Sequence, residues 1–150
     1  MRIVIQRVTQ ASVSIASRVT AQIGHGMMVL VGVEEGDSEA DSDWLAAKTA
    51  NLRIFDDNNG VMNRSVLDTR GEILAVSQFT LTASTRRGNR PSYIRAAGHP
   101  TATHLYEHYC KRLRELTGSA VPTGTFGADM QVSLINDGPV TIIIDSKLKE

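Results

Sequence analysis

Two short stretches place polar or conformationally unusual residues where they could do chemistry. The first is Ser77-Gln78-Phe79-Thr80-Leu81, which breaks the apolar run Ile73-Leu74-Ala75-Val76. In a regular strand Ser77 and Phe79 share one face, and Gln78 and Thr80 share the other. Ser77 and Gln78 can therefore serve a single site only where the strand ends or bulges. Hydroxyl and carboxamide groups can orient a carbonyl or a water, but no Ser-His-Asp set stands ready to activate Ser77 or Thr80. The plain alternative is a pair of hydrogen-bonded polar residues within a strand. The second stretch is Asn136-Asp137-Gly138-Pro139-Val140-Thr141. Gly138 lacks a side chain and Pro139 lacks a backbone donor, so the peptide surface there is mostly carbonyl oxygen. Read alone, it is a hairpin turn.

Other patterns carry less. His104-Leu105-Tyr106-Glu107-His108 matches the H-x-x-E-H signature of some zinc peptidases. On a helix both histidines would share a face, but a third protein ligand is required and none follows at a suitable spacing. The expectation is no metal and no other cofactor. A zinc hydrolase built on His104 and His108 is a remote alternative. Asp56 to Gly60 looks like a calcium loop in composition only. The position that needs a bidentate glutamate is Leu67, so the segment reads as a turn between strands. Cys110 has no evident activating partner and reads as packing. There is no G-x-S-x-G elbow and no phosphate-binding glycine loop.

Charge narrows the partners. The 150 residues carry 16 basic and 16 acidic side chains, for a formal net charge of zero. That balance excludes a nonspecific binder of long duplexes, and no DNA partner is expected. Yet no acidic residue lies between Glu72 and Glu107, a stretch holding Arg86, Arg87, Arg90 and Arg95. This is either a solvated basic loop or a contact for a few phosphates, such as the end of an RNA. The single cysteine cannot form an internal disulfide, which fits a reducing compartment. No apolar run approaches the roughly 20 residues of a membrane helix. No signal-peptide core is visible, so the expected location is the cytoplasm.

The elements that must hold these groups follow from periodicity. Arg2 to Val8, Ala11 to Ile15 and Val19 to Ile23 alternate as strands, and the continuously apolar Met27 to Val33 reads as a buried one. Ser38, with Asp41 three residues later, opens a helix carrying Trp44, Leu45, Lys48 and Leu52. Glu72 to Ala83 reads as one long strand. Pro100 suits the first turn of a second helix, with Leu105, Tyr109, Leu113 and Leu116 as its stripe and Gly118 at its end. Asp129 to Ile135 and Pro139 to Asp145 read as two strands joined by the Asn136-Asp137-Gly138 turn. The expectation is one α+β domain over 1–150: roughly eight strands in a mixed, curled or barrel-like sheet, with two main helices outside.

Taken together, the motifs resemble the bacterial-type D-aminoacyl-tRNA deacylases over nearly the whole chain. The matching pieces are Met1-Arg2 with Gln6-Arg7-Val8, Ser77 to Leu81, Gly88-Asn89-Arg90-Pro91-Ser92, Thr123-Gly124 with Phe126-Gly127-Ala128 and Met130, and Asn136 to Thr141. Tyr93 stands where phenylalanine is expected. The resemblance implies a homodimeric hydrolase that cleaves the ester between tRNA and a D-amino acid, or glycine mischarged on alanine tRNA. It implies that Gly138-Pro139, cis, reaches into the partner subunit's site. There its carbonyls hold the substrate amino group and exclude an L side chain, with Arg7 fixing the motif. It places catalysis at Ser77, Gln78, Phe79 and Thr80, with backbone N–H groups near Gln78 and Phe79 facing the oxyanion, and a water assisted by the 2′-hydroxyl of the terminal adenosine. Phe126, Gly127, Ala128 and Met130 are expected to form the adenosine pocket, and Arg86, Arg87 and Arg90 to meet tRNA phosphates. Alternatives are a noncatalytic module that binds RNA 3′ ends and a related enzyme that clears L-alanine.

Overall fold

In a computed structural model that describes residues 1–149, the polypeptide is organised around its first strand. β1 runs unbroken from Arg2 to Ile15, where two strands were expected. The join at Thr9-Gln10 is a register irregularity rather than a turn. Along one edge β1 pairs with β2 (Arg18–Ile23) and then β3 (Gly26–Gly32), both antiparallel. A small hairpin of β4 (Phe55–Asp56) and β5 (Met62–Arg64) stands apart, with the Asp57 carboxylate accepting from the Asn59 and Val61 N–H groups in its turn. β3 pairs in parallel with β6 (Glu72–Ser77).

The other edge of β1 is lined along its length by one strand, β7 (Gln131–Asp145). The expected hairpin at Asn136 to Gly138 does not exist. Both halves of β7 pair with β1, from Ser14↔Gln131 to Arg2↔Asp145. Between Gln6↔Thr141 and Val8↔Asn136, the residues Asp137 to Val140 face the single residue Arg7. The segment is a wide bulge pushed out of a continuing ladder. Turn chemistry is local, and it looks the same whether the chain reverses or makes an excursion.

β3 is buried on both faces, as its unbroken apolar run demands. On one face Ile3, Ile5, Met27, Val29, Ile73 and Ala75 meet the helices. On the other, Met28, Leu74 and Val76 meet Val8, Val13 and Ile23, where the distal half of β1 and β2 curl back. The helix α1 (Glu39–Asn51) begins at a Ser38/Asp41 capping box, and a single turn, α2 (Val66–Thr69), begins at a second one, Ser65/Asp68. The longest helix, α3 (His99–Thr117), packs with α1 on the first face and against it. Ser42 Oγ donates to the Leu105 carbonyl, and the Thr49 and Tyr109 hydroxyls lie 2.8 Å apart. The stripe of α3 is Ala102, Leu105, Tyr106, Tyr109, Cys110 and Leu113; Leu116, expected to join it, is exposed. The architecture is α+β, a curled half-barrel with helices against one face. Among the described residues no helix is long and apolar enough to cross a membrane.

Candidate active site

The long strand expected from Glu72 to Ala83 stops at Ser77. Gln78 leaves the extended region (φ −148°, ψ 84°), and Phe79–Thr82 closes into a 3-10 turn. The strand end lets adjacent residues face one space. Ser77, Gln78 and Phe79 all line a cavity of about 310 Å³, opposite Phe126, Gly127, Ala128 and Met130. Val31 and Val33 form its floor from the β3 side.

The backbone at this break is partly committed. The Gln78 N–H donates to the Val31 carbonyl at 2.7 Å and is not free for a substrate. Phe79 opens the 3-10 turn, and the first N–H groups of such a turn have no partner within it. Leu81 N–H donates back to the Gln78 carbonyl. The N–H donors this break can offer are thus those of Phe79 and Thr80. The Gln78 carboxamide donates to Thr80 Oγ1 at 2.5 Å, and no histidine or carboxylate hydrogen-bonds to Ser77 or Thr80 among the described residues. Thr80 lines a different groove from Ser77, one shared with Arg2, Leu81 and Ile143.

The facing wall is braced from behind. Phe126 meets the His99 ring edge-on at 5.0 Å and the Tyr106 ring at 5.9 Å. Tyr106 donates its hydroxyl to the Ala75 carbonyl at 3.0 Å, and burial pushes its ionisation far above the ordinary phenol value. A β-carbon on Gly124 would lie 2.6 Å from Met130 Sδ, so the glycine leaves room for the methionine to reach the cavity. The sequence does not mark His99 and Tyr106 as supports, and Gly124 stands out only through the family resemblance. Nothing local singles out a residue that acts through a distant ring.

The second motif lies elsewhere on the same chain. Gly138-Pro139 is a cis peptide, exposed at the crest of the β7 bulge. Arg7, opposite it and nearly buried, ties it down. Its Nε donates to the Asp137 carbonyl at 3.0 Å, and Nη1 donates to the Ile54 carbonyl at 2.8 Å and the Asp56 carboxylate at 3.2 Å. Gly138 has φ +130°, and a β-carbon there would meet Val140 Cγ2 at 2.8 Å and Arg7 Nη2 at 3.2 Å. From β6 to β7 is three strand spacings, with about four residues of offset along β1, so within one chain this motif stands roughly 15–20 Å from Ser77. One chain does not bring the two motifs together.

The remaining site residues fall as follows. Arg86, Arg87 and Arg90 are exposed in the tip of a loop after the 3-10 turn, outside the cavity. His104 and His108 reach α1, with Nε2 of each within 2.7 Å of Glu39 and 2.9 Å of Asp43 respectively. No group of three metal-ligating residues assembles among the described residues. Cys110 is buried, and burial pushes its thiol up to about 11.

Comparison with known proteins agrees with this geometry. The family model described as D-Tyr-tRNA(Tyr) deacylase matches residues 4–145. The D-aminoacyl-tRNA deacylases of Bacteroides thetaiotaomicron and Dechloromonas aromatica are 59% and 58% identical over 150 residues, covering all of both chains. A solved structure named "c-Myc DNA Unwinding Element Binding Protein" is 39% identical with TM-score 0.92, covering 97% of this chain and 98% of that one. A second, described as a probable eukaryotic D-amino acid tRNA deacylase, is 17% identical with TM-score 0.82 over 95% of this chain and 97% of that one, and shares the fold. A full-length match at this identity, on a chain with this strand break and this bulge, means that the protein belongs to the D-Tyr-tRNA(Tyr) deacylase family, hydrolases of the aminoacyl-tRNA ester bond.

Proposed function

We propose that this hydrolase clears D-amino acids, and glycine mischarged on alanine tRNA, from the 3′ end of tRNA while leaving L-aminoacyl-tRNA intact. The observation that carries the reading is the opposite polarity of the two backbone breaks. The end of β6 offers N–H groups, and the crest of β7 offers carbonyls. An aminoacyl ester needs both, donors for the oxyanion that develops on its carbonyl and acceptors for its ammonium. The terminal adenosine sits against Phe126, Gly127, Ala128 and Met130. The ester carbonyl turns toward Phe79 N–H, and the Gly138 and Pro139 carbonyls receive the amino group. Backbone cannot swing aside as a side chain does, so an L side chain meets a wall where hydrogen or a D substituent does not.

Water adds to the ester carbon, the bond to the ribose oxygen breaks, and the proton passes to that oxygen, assisted by the neighbouring 2′-hydroxyl. Ser77, Gln78 and Thr80 orient these groups. The lack of any base beside Ser77 or Thr80 among the described residues supports water over an acyl-enzyme.

The two breaks meet across a homodimer. Their separation within one chain supports this, as do the exposed apolar side chains Val132, Ile135 and Ile143 on β7. The open groove holding Thr80, Leu81 and Ile143 is a natural seat for part of the partner's β7, with its bulge reaching past Thr80 to the cavity at Phe79. DNA, which appears in the name of one solved relative, is not favoured as a partner here, because three arginines on a neutral chain suit a few phosphates of an RNA end. Such an enzyme works in the cytoplasm, where charged tRNA is.

The test is deacylation of matched D- and L-tyrosyl-tRNA. Release of D-tyrosine with L-tyrosyl-tRNA intact is expected. Equal rates would sink the chiral wall, and no turnover of either would favour a noncatalytic module.

A further inference from the structure

Beside the cavity, on its outer rim, lies a surface that the ester chemistry leaves unused. Phe79 lines the cavity, yet more than half of the residue is exposed. Its ring packs edge-on against Tyr93 at 5.0 Å, and Tyr93 is itself 40% exposed. Two aromatic rings held together in water at the mouth of a site are unusual on a soluble surface.

The segment that carries Tyr93 is tied down. Ser84 and Ser92 exchange backbone hydrogen bonds of 2.9 Å, closing the intervening residues into a tip. Beyond it, Ala96 N–H donates to the Tyr93 carbonyl and Ala97 N–H to the Val33 carbonyl. The tip holds Arg86, Arg87 and Arg90. None of the three has an ion-pair partner among the described residues, whereas nearby Arg95 is matched to Glu34 at 2.5 Å. Guanidinium groups without an ion-pair partner, in a tip that closes one residue before Tyr93 and in a stretch without one carboxylate, combine with the exposed rings as single-stranded nucleic acid requires. Bases stack on the rings and phosphates pair with the cations.

We propose that Phe79 and Tyr93 form a stacking platform for the unpaired nucleotide immediately 5′ of the terminal adenosine, on the side where Arg86, Arg87 and Arg90 are already expected to meet phosphates. The inference rests on the deacylase reading and extends it. The platform grips the acceptor end outside the cavity, so that binding energy from nucleotides remote from the ester positions the ester itself. It also separates tRNA from shorter esters that present the same adenosine.

The test compares kcat/KM on D-tyrosyl-tRNA with that on 3′-O-D-tyrosyl-adenosine, a substrate too short to reach the platform. Tyr93→Ala is expected to lower the ratio of the two about 5- to 100-fold, mainly through KM on the tRNA, and Tyr93→Phe to preserve it. The triple variant Arg86→Ala, Arg87→Ala, Arg90→Ala should flatten the salt dependence of tRNA binding, by a slope of about 0.7 for each phosphate left unpaired. A ratio and a salt slope unmoved by these changes would overturn the platform while leaving deacylation intact. So would conversion of the protein to a monomer by Tyr93→Ala, which would make the rings part of an interface between copies. A wild-type protein inert on both substrates would instead sink the deacylase reading, and the platform with it.

Discussion

The end of β6 and the crest of β7 solve one problem in opposite senses. Each must expose backbone polar groups that a sheet would normally consume. At Ser77-Gln78 the ladder terminates and the chain tightens into a 3-10 turn, which leaves N–H groups at its start. At Asp137 to Val140 the ladder is interrupted and then resumes, and the excursion faces outward with a glycine and a residue that has no N–H. The first break is held by the Gln78 N–H bonded to Val31, and the second by Arg7 bonded to Asp137, Ile54 and Asp56. On the proposed reading backbone supplies both donors and acceptors, and side chains mostly hold it in place.

The sharpest way to break the comparison is to remove a donor without removing the turn. Phe79→Pro deletes the N–H at a position where proline fits a helical start, and should lower the deacylation rate about 100- to 1,000-fold. Phe79→Ala keeps the N–H and should lose much less. Equal losses in single-turnover assays would assign the role to the ring instead. On the acceptor side, Gly138→Ala places a carbon 2.8 Å from Val140 Cγ2 in a backbone region that favours glycine. Displacing the carbonyls by about 1 Å should cost about 100-fold in kcat/KM, and the backbone strain should lower the unfolding midpoint by about 2–10 °C while leaving the protein folded at assay temperature.

Side chains that only orient should matter less. Ser77→Ala and Thr80→Ala are each expected to cost about tenfold or less, measured as kcat under saturating D-tyrosyl-tRNA. Trapping an acyl-enzyme on either hydroxyl would contradict this.

The two motifs are unevenly legible in the sequence. That Ser77 and Gln78 share a site only at a strand end follows from the alternation of faces, and the strand does end there. Phe79, Thr80 and Leu81 all favour strands, yet the expected continuation to Ala83 fails because the neighbouring β3 ends at Gly32, where the missing side chain lets Leu81 fold back against it. The β7 bulge looks like a hairpin in sequence because its partner, Arg7, lies 130 residues away in the chain. Capping at Ser38, the stripe of α3 and the buried β3 are readable because each is a local pattern. Tyr93 is marked in the sequence only as an aromatic position of the family, and its role is not legible until the fold places it beside Phe79.

The smallest expected effect lies at the start of α1, outside the lining of the cavity and of the β7 bulge, and serves as a control for both breaks. Burial would raise the Asp41 carboxyl, but hydrogen bonds from Ser146, Lys147 and Ser38 outweigh it and hold the group below its ordinary value. A depressed carboxylate stabilises the fold above the unfolded value, near 4, and that contribution is lost as pH falls below it. Asp41→Asn should therefore lower stability by about 1 kcal/mol at pH 7, with the gap closing toward pH 2, and leave the D over L preference unchanged. Urea titrations at the two pH values check the sign.

Whether donors and acceptors from different subunits build one site is tested most directly by a mixed dimer. One subunit carries Gly138→Ala and the other Phe79→Pro. If the breaks meet across the interface, both lesions fall in one composite site and the other site is intact, so about half of wild-type activity on D-tyrosyl-tRNA survives. If each chain completes its own site, both sites are damaged. A well-folded mixed dimer with no activity, or an active monomer, would contradict the account.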